Sequence, residues 1–345
     1  MSDTLKRIGW TVGPLILLLI LDAVLIPGFF QIQMKQGRLF GIPIDILFYG
    51  SRVMLLAIGM TLVIATGGVD LSVGAVMAMA SATAVVVSNH GAPLAVAVAA
   101  ALGVGILAGA WNGMLVTLFG MQPIVATLVL MVAGRGIAQI IAGVPILNFA
   151  SMDLRVFAAG QFLKLPVSVW IVLLVLVVVW GLARKTPMGL MVEAIGDSPS
   201  AARMIGLPVR LVIALTYVVV GVCSALAGLV DAAGVTAADT YNTGLYMELD
   251  AILAVVIGGT LLTGGRFFLA GSLLGALLIQ TLTTTLLLRD VSPNLLAFPK
   301  AVLVIVVCLL QSSQFRSQFR RLSSKQRAVE QMAPVAVQQS EKVTA

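Results

Sequence analysis

The chain has 345 residues, 60% of them hydrophobic and 10% charged, with a formal net charge of +7 and a mean hydropathy of +1.09. Soluble domains carry roughly 25% charged residues, so a soluble globular fold is excluded. The apolar runs are too long and continuous for the alternating strands of a membrane barrel, which leaves an all-α, polytopic helical bundle.

Taken in chain order, Lys6 and Arg7 precede an apolar run to Pro27 that has no small-residue cleavage site after it, so it is expected to stay as a first helix. Further apolar segments follow at about 44–66, 71–88, 92–119, 122–142, 166–183, 209–236, 249–263, 270–288 and 296–313. About ten crossings are therefore expected, with both termini on one side. Glycine pairs in 44–74 and 249–275 mark places where helices could break or re-enter. This threading puts roughly 13 Lys and Arg in cytoplasmic segments against roughly five outside, as the positive-inside rule demands. Much of the basic excess lies just after the last apolar run, at Arg316, Arg320, Arg321, Lys325 and Arg327. A cytoplasmic flank explains it without nucleic acid. The expected organisation is a transmembrane domain over 1–314 and a basic, disordered tail over 315–345.

The first interruption is TGGVDLSVG, Thr66 to Gly74. Gly67 and Gly68 permit a backbone break, and Asp70 with Ser72 is expected to cap a helix that resumes at Leu71. Such a break must be lined by protein or water. TGG recurs at 263–265, again leading into a small-residue helix. That echo is either an internal repeat of the kind transporters carry or a chance match.

Ionisable residues inside apolar segments are costly, and each is a candidate functional group. They are Asp70, Arg135, Asp231, Glu248, Asp250 and Lys300, with Arg52 near a helix end. Structural readings stand beside the functional one: Lys300 can snorkel, and Asp231 can pair with Arg135. Asn112, Gln122, Thr127, Gln139 and Gln280 could bond a hydroxylated solute or a neighbouring helix. Stripes such as AALGVGILAGAWNG predict close helix packing. Cys223 and Cys308 read as core residues and His90 as a loop residue, so no metal site is expected. No lysine follows a glycine, so the chain has no P-loop, and HExxH, GxSxG and CxxC are missing too.

The segment 184–208, RKTPMGLMVEAIGDSPSAARMIGLP, is the longest polar interruption between helices, yet it holds Met188, Leu190, Met191, Ile195, Met204 and Ile205. That much apolar surface in a loop predicts a covering partner. Its pattern of Thr186, Gly189, Ala194, Ile195, Gly196, Ala201, Ala202 and Gly206 resembles the coupling loop of the permease subunits of ABC sugar importers, in the ribose/xylose/arabinose branch. GGVDLSVGA at 67–75, WNG at 111–113, QPIVATLVLMVAGRG at 122–136 and ELDAILAVVIGGTLLTGG at 248–265 are similar to further signatures of that family, in the same order. The resemblance spans about 45 to 310.

It implies a non-enzymatic, multi-pass subunit of the bacterial inner membrane with cytoplasmic termini, moving a monosaccharide. An ATP-binding subunit, often with tandem P-loop domains and carrying the ATP and Mg, would contact Glu193 to Gly206. A periplasmic sugar-binding protein would dock outside, and a second permease copy or paralogue would complete the pathway. Gly67, Gly68, Asp70, Ser72, Asn112, Gln122, Thr127, Arg135, Glu248 and Asp250 are then the pathway or hinge candidates. The rival reading from another class is a proton- or sodium-coupled carrier using Asp70 or Asp250; a membrane-embedded enzyme comes third.

Overall fold

The computed structural model describes residues 2–35, 38–149 and 153–311. The expected tail over 315–345 lies outside the described residues. The elements run α1 (Ser2–Leu25), β1 (Gln33–Lys35), β2 (Arg38–Phe40), α2 (Ile42–Ala65), α3 (Val73–Asn89), α4 (Leu94–Thr117), α5 (Pro123–Ala142), β3 (Ile146–Asn148) and α6 (Val156–Ala159). They continue with β4 (Gln161–Phe162), β5 (Leu165–Pro166), α7 (Val167–Lys185), α8 (Met188–Asp197), α9 (Pro199–Met204), α10 (Val209–Val235), β6 (Ala237–Asp239), α11 (Met247–Ile257), α12 (Leu269–Leu288) and α13 (Ala297–Gln311). Residues 1–296 form one compact unit, and α13 belongs to a second.

Helices occupy every apolar segment that the sequence marks. By length and composition, six of the described helices can cross a membrane, namely α2, α4, α5, α7, α10 and α12; α3 and the apolar part of α1, Thr11–Leu25, are shorter. The expected crossing at 249–263 is cut short, because α11 has 11 residues and ends at Ile257, with Gly258 as its C-cap. An irregular stretch follows in which Gly259, Gly264 and Gly265 all have positive φ. At about 1.5 Å per residue α11 spans roughly half of a 30 Å hydrocarbon layer. It is a half-helix of the kind the glycine pairs allow.

The helix after TGGVD also starts later than expected, at Val73 rather than Leu71, with Ser72 at the N-cap position but making no side-chain cap bond. The long 143–165 loop is built from short pieces: β4 pairs with β5, and β3 pairs antiparallel with β6 across the chain.

α2 is the axis of the bundle. Its most apolar stretch is 78% buried, and it packs against α10, α12, α11 and α7. A helix apolar on all sides belongs in such a position. α10 joins α2 to α3 and α4. The α4–α10 seam is set by small residues at helical spacing: a side chain at Gly105 would run into the Gly221 carbonyl, and one at Gly109 into the Tyr217 carbonyl. Without a hydrophobic driving force in lipid, such close backbone packing holds helices together. Gly105→Val should therefore destabilise the chain by about 1–3 kcal/mol through overpacking. Gly103→Val, where a Cβ meets open space, should leave the thermal midpoint in detergent unchanged.

Candidate functional site

Three groups of the singled-out residues meet around α2. The first is a buried polar knot at the 66–72 turn. Asp70, Ser72, Asn112 and Thr127 are all at most 2% exposed. Asp70 Oδ1 accepts from the Ser72 amide at 2.8 Å and the Ser72 hydroxyl at 2.6 Å. Asn112 Nδ2 donates to Ser72 Oγ at 2.9 Å and reaches the Asp70 carboxylate at 3.4 Å. Ser72 thus spends its hydroxyl on Asp70 and does not cap α3; the carboxylate secures the amide before the helix instead. Thr127 Oγ1 accepts from the Leu71 amide at 3.1 Å, tying the turn to α5. A buried carboxylate is tolerated only with such donors. Two atoms here lack partners, Asn112 Oδ1 and the Tyr217 hydroxyl. The latter lies so close to Gly68 that a Cβ there would sit 2.8 Å from it.

The second group is a relay toward the opposite end of the bundle from the 184–208 loop. Arg52 on α2 pairs with Asp231 on α10, not Asp231 with Arg135 as the sequence allows. Asp231 Oδ2 accepts from the Thr243 hydroxyl at 2.9 Å, and the Thr243 carbonyl accepts from Arg135 Nη1 at 2.5 Å. Arg135 has Glu248 and Asp239 as its charged neighbours. Glu248 is 7% exposed in the first turn of α11, with Asp250 two residues on. The backbone at Gly244 presses on Gly74 at the start of α3, leaving no room for a Cβ on either. The starts of α3 and α11 therefore face one another inside the bundle.

The third group is the 184–208 segment, which forms two short helices. Thr186 turns the chain: its hydroxyl donates to the Leu182 carbonyl at 2.5 Å and accepts from the Met188 amide at 3.3 Å. Ser198 caps α9 through the Ala201 amide at 3.3 Å. Gly189, Val192, Ile195 and Ala202 turn inward and are buried. Gly196 is wedged so tightly that a Cβ would strike the Ala65 carbonyl and the Gly265 amide, and Gly265 itself donates to the Ala65 carbonyl at 2.9 Å. The two TGG turns, distant in sequence, thus meet at Gly196. On the outward side Leu190, Met204 and Ile205 are 73%, 82% and 74% exposed, and Ala194, Ala201 and Gly206 are exposed with them. Glu193 is partly covered and lies 4.0 Å from Arg184.

Of the remaining candidates, Gln122 stands apart as the exposed residue before α5, with no side-chain cap bond. Gln280 bonds Thr284 on its own helix, and His90 bonds the Val86 carbonyl. Sequence reasoning passes over Tyr217, Thr243 and Asp22. Asp22 is buried on α1, accepts from Thr285 at 2.9 Å and leaves Oδ1 unpartnered. A lone acid in the apolar run LLILDAVL was the available signal. Among the described residues no group of three or more His, Cys, Asp or Glu is placed to hold a metal ion. The arrangement comprises an exposed apolar face on the 184–208 segment, a buried central helix and a half-helix held by buried polar contacts.

These features define a polytopic helical membrane protein. Residues 42–308 match the family described as "Branched-chain amino acid transport system / permease component", and the chain belongs to it. It is 49% identical to the galactofuranose transporter permease protein YtfT of Escherichia coli K12, over 93% of this chain and 95% of that protein. It is also 37% identical to the fructose import permease protein FruF of Bifidobacterium longum, over 96% and 95% of the two chains. With the ribose import permease protein RbsC of Escherichia coli K12 it shares 36% identity, over 87% and 93%. No solved structure matches. The chain is a transport subunit rather than an enzyme, and the importer reading stands over the ion-coupled carrier.

Removing one partner of a buried ion pair leaves the other charge stranded, at about 3–5 kcal/mol. Arg52→Ala and Asp231→Ala should each cost about that much, and the double variant much less than the sum, as read by thermal unfolding in detergent. Tyr217→Phe removes an unpartnered buried hydroxyl and should raise stability, by about 1 kcal/mol.

Proposed function

We propose that this chain forms the pathway of an ATP-driven monosaccharide importer in the bacterial inner membrane, with galactofuranose as its sugar. The sugar rests on the 49% identity to a galactofuranose permease over nearly the full length of both chains. The stretches GRLFGIPIDIL, LLAIGMTLVIATGGVDLSVGAVMA and LMVAGRGIAQ carry that likeness. ATP and Mg reside on a separate ATP-binding subunit with tandem P-loop domains. A periplasmic binding protein delivers sugar at the opposite end, and a second copy of the permease completes the pathway.

The observation that carries the coupling role is the two-faced 184–208 segment. Its outward face presents Leu190, Met204 and Ile205 to a partner, while its inward face is locked on Ala65 and Gly265. A push from the ATPase subunit therefore passes to the end of α2. The helix carries it to Arg52, and from there the buried relay reaches Thr243 and Arg135. Ends of one packed helix move together, so the transition is a rigid-body one. In this scheme Asp70, Ser72, Asn112 and Thr127 act as the anchor of a hinge at Gly67 and Gly68. Arg135, Glu248 and Asp250 border the pathway.

Reconstituted with its candidate ATPase subunit, the chain should show ATPase activity stimulated by binding protein loaded with galactofuranose, and not with galactopyranose, ribose or arabinose. Ile205→Glu should leave the permease folded and inserted but abolish assembly with the ATPase subunit in a pull-down. A bulky residue at Gly196 should permit insertion and uncouple uptake from hydrolysis; unchanged uptake would refute the docking role.

A further inference from the structure

The bundle end opposite the 184–208 segment carries an open cup that none of the contacts described above uses. Its volume is about 410 Å³, within the range of about 300–1,000 Å³ typical of small-ligand sites. β2 and the first turns of α2 form one wall, Arg155, Gln161 and Pro166 a second, and the end of α10 at Ala233, Gly234 and Thr236 a third. The helices fix which end this is. Asp45 stands about 30 Å of helix away from Ala65, and α10 ends at the cup after starting beside α9.

Four polar residues line the cup, Asp45, Arg155, Gln161 and Thr236. Among the described residues none of their side chains makes a hydrogen bond or ion pair. Their capacities differ: the carboxylate only accepts, the guanidinium only donates, and the amide and the hydroxyl do both. Asp45 and Arg155 also cancel in charge, so the cup as a whole favours neither an anion nor a cation. Two aromatic rings, Phe40 and Phe48, stand in the same walls. The Phe48 ring is held in place: it lies so near Gly234 that a Cβ there would sit 3.2 Å from it, and it packs edge-on against Tyr49 with ring centroids 5.0 Å apart. Thr236 is fixed through its carbonyl, which accepts from the Phe149 amide at 3.2 Å. The cup is therefore preformed on these two sides.

We propose that this cup is an intake site for a neutral monosaccharide, with Asp45, Arg155, Gln161 and Thr236 on its hydroxyls and Phe40 and Phe48 against its C–H face. A hydroxyl both donates and accepts, so one sugar serves the donor-only and the acceptor-only groups together. The negative face of an aromatic ring suits the slightly positive C–H groups of a sugar. An ion would leave one charged wall unmatched, and an acyl chain would strand all four polar groups. Because the mouth is open, water fills the remaining space and the sugar is held weakly enough to move on. The sugar binding stands on the cup alone; its place as the intake of a transport route rests on the importer reading proposed above.

The test is saturation-transfer-difference NMR on the full chain in lipid nanodiscs, titrated with methyl galactofuranoside, whose glycosidic methyl holds the five-membered ring. The wild-type chain should transfer saturation to the C–H protons of the sugar. Arg155→Gln, at an exposed position, should weaken binding about tenfold, the loss of one hydrogen bond from a charged donor. Phe40→Ala, exposed as well, should weaken it about fivefold. Lys164→Gln removes an exposed cation of the same loop that does not line the cup and should leave binding unchanged. No transfer with the wild-type chain, or wild-type affinity in both Arg155→Gln and Phe40→Ala, would overturn the site. Weaker capture of the sugar-binding protein by Arg155→Gln at unchanged sugar affinity would overturn it too, and mark the cup as a protein-docking surface. The NMR assay contains neither the ATPase subunit nor the binding protein. Sugar binding without ATPase stimulation in the assembled complex would therefore count against the importer reading and leave the sugar site standing, and ATPase stimulation without saturation transfer would do the reverse.

Discussion

The proposed coupling depends on one close contact, that of Gly196 with the Ala65 carbonyl and the Gly265 amide. No side chain larger than hydrogen fits there, so the 184–208 segment sits directly on the backbone of two membrane elements. Such contacts are stiff, because backbone cannot change rotamer and the surrounding core is close-packed. Through them a polar loop, the end of the most buried helix and the turn before α12 are joined at one point.

The buried charges follow from the same geometry. α2 carries Arg52 about 20 Å from Ala65, deep enough that an unpaired guanidinium would be costly. Asp231 on α10 answers it, and Thr243 uses both its hydroxyl and its carbonyl to extend the line to Arg135. The stretch before α11 lacks regular structure and would be unstable in lipid by itself. Its attachments to this relay and to Gly74 hold it inside the bundle. Asp70 serves the equivalent purpose at the other break, offering one carboxylate to the donors that a turn inside a membrane leaves free.

Much of this was legible in the sequence. Long apolar runs located the helices, glycine pairs located both breaks, and the polar 184–208 segment does present exposed apolar residues, Leu190, Met204 and Ile205. What the sequence could not give was which groups meet. Asp231 has two arginines within reach of any reasonable threading, and only the packing of α2 against α10 selects Arg52. Asp70 and Ser72 look like a helix cap because capping is a local rule, whereas the actual arrangement depends on Asn112 from α4. Gly196 reads as part of a surface motif, yet it faces inward against two turns more than 60 residues away on either side. Tyr217 and Thr243 carry no motif at all; their roles arise from tertiary contacts.

The central claim is that α8 and α2 move as one body. Spin labels at Asp45→Cys and Ala194→Cys, both exposed positions, bracket α2 across about 30 Å of helix. Double electron–electron resonance on the assembled importer, with and without ATP and Mg, reads that separation directly. An unchanged Asp45–Ala194 distance between the two states is the result expected. A change of several ångströms between 45 and 194 would mean that the coupling segment slides on α2, and the contact at Gly196 would not be the transmission point.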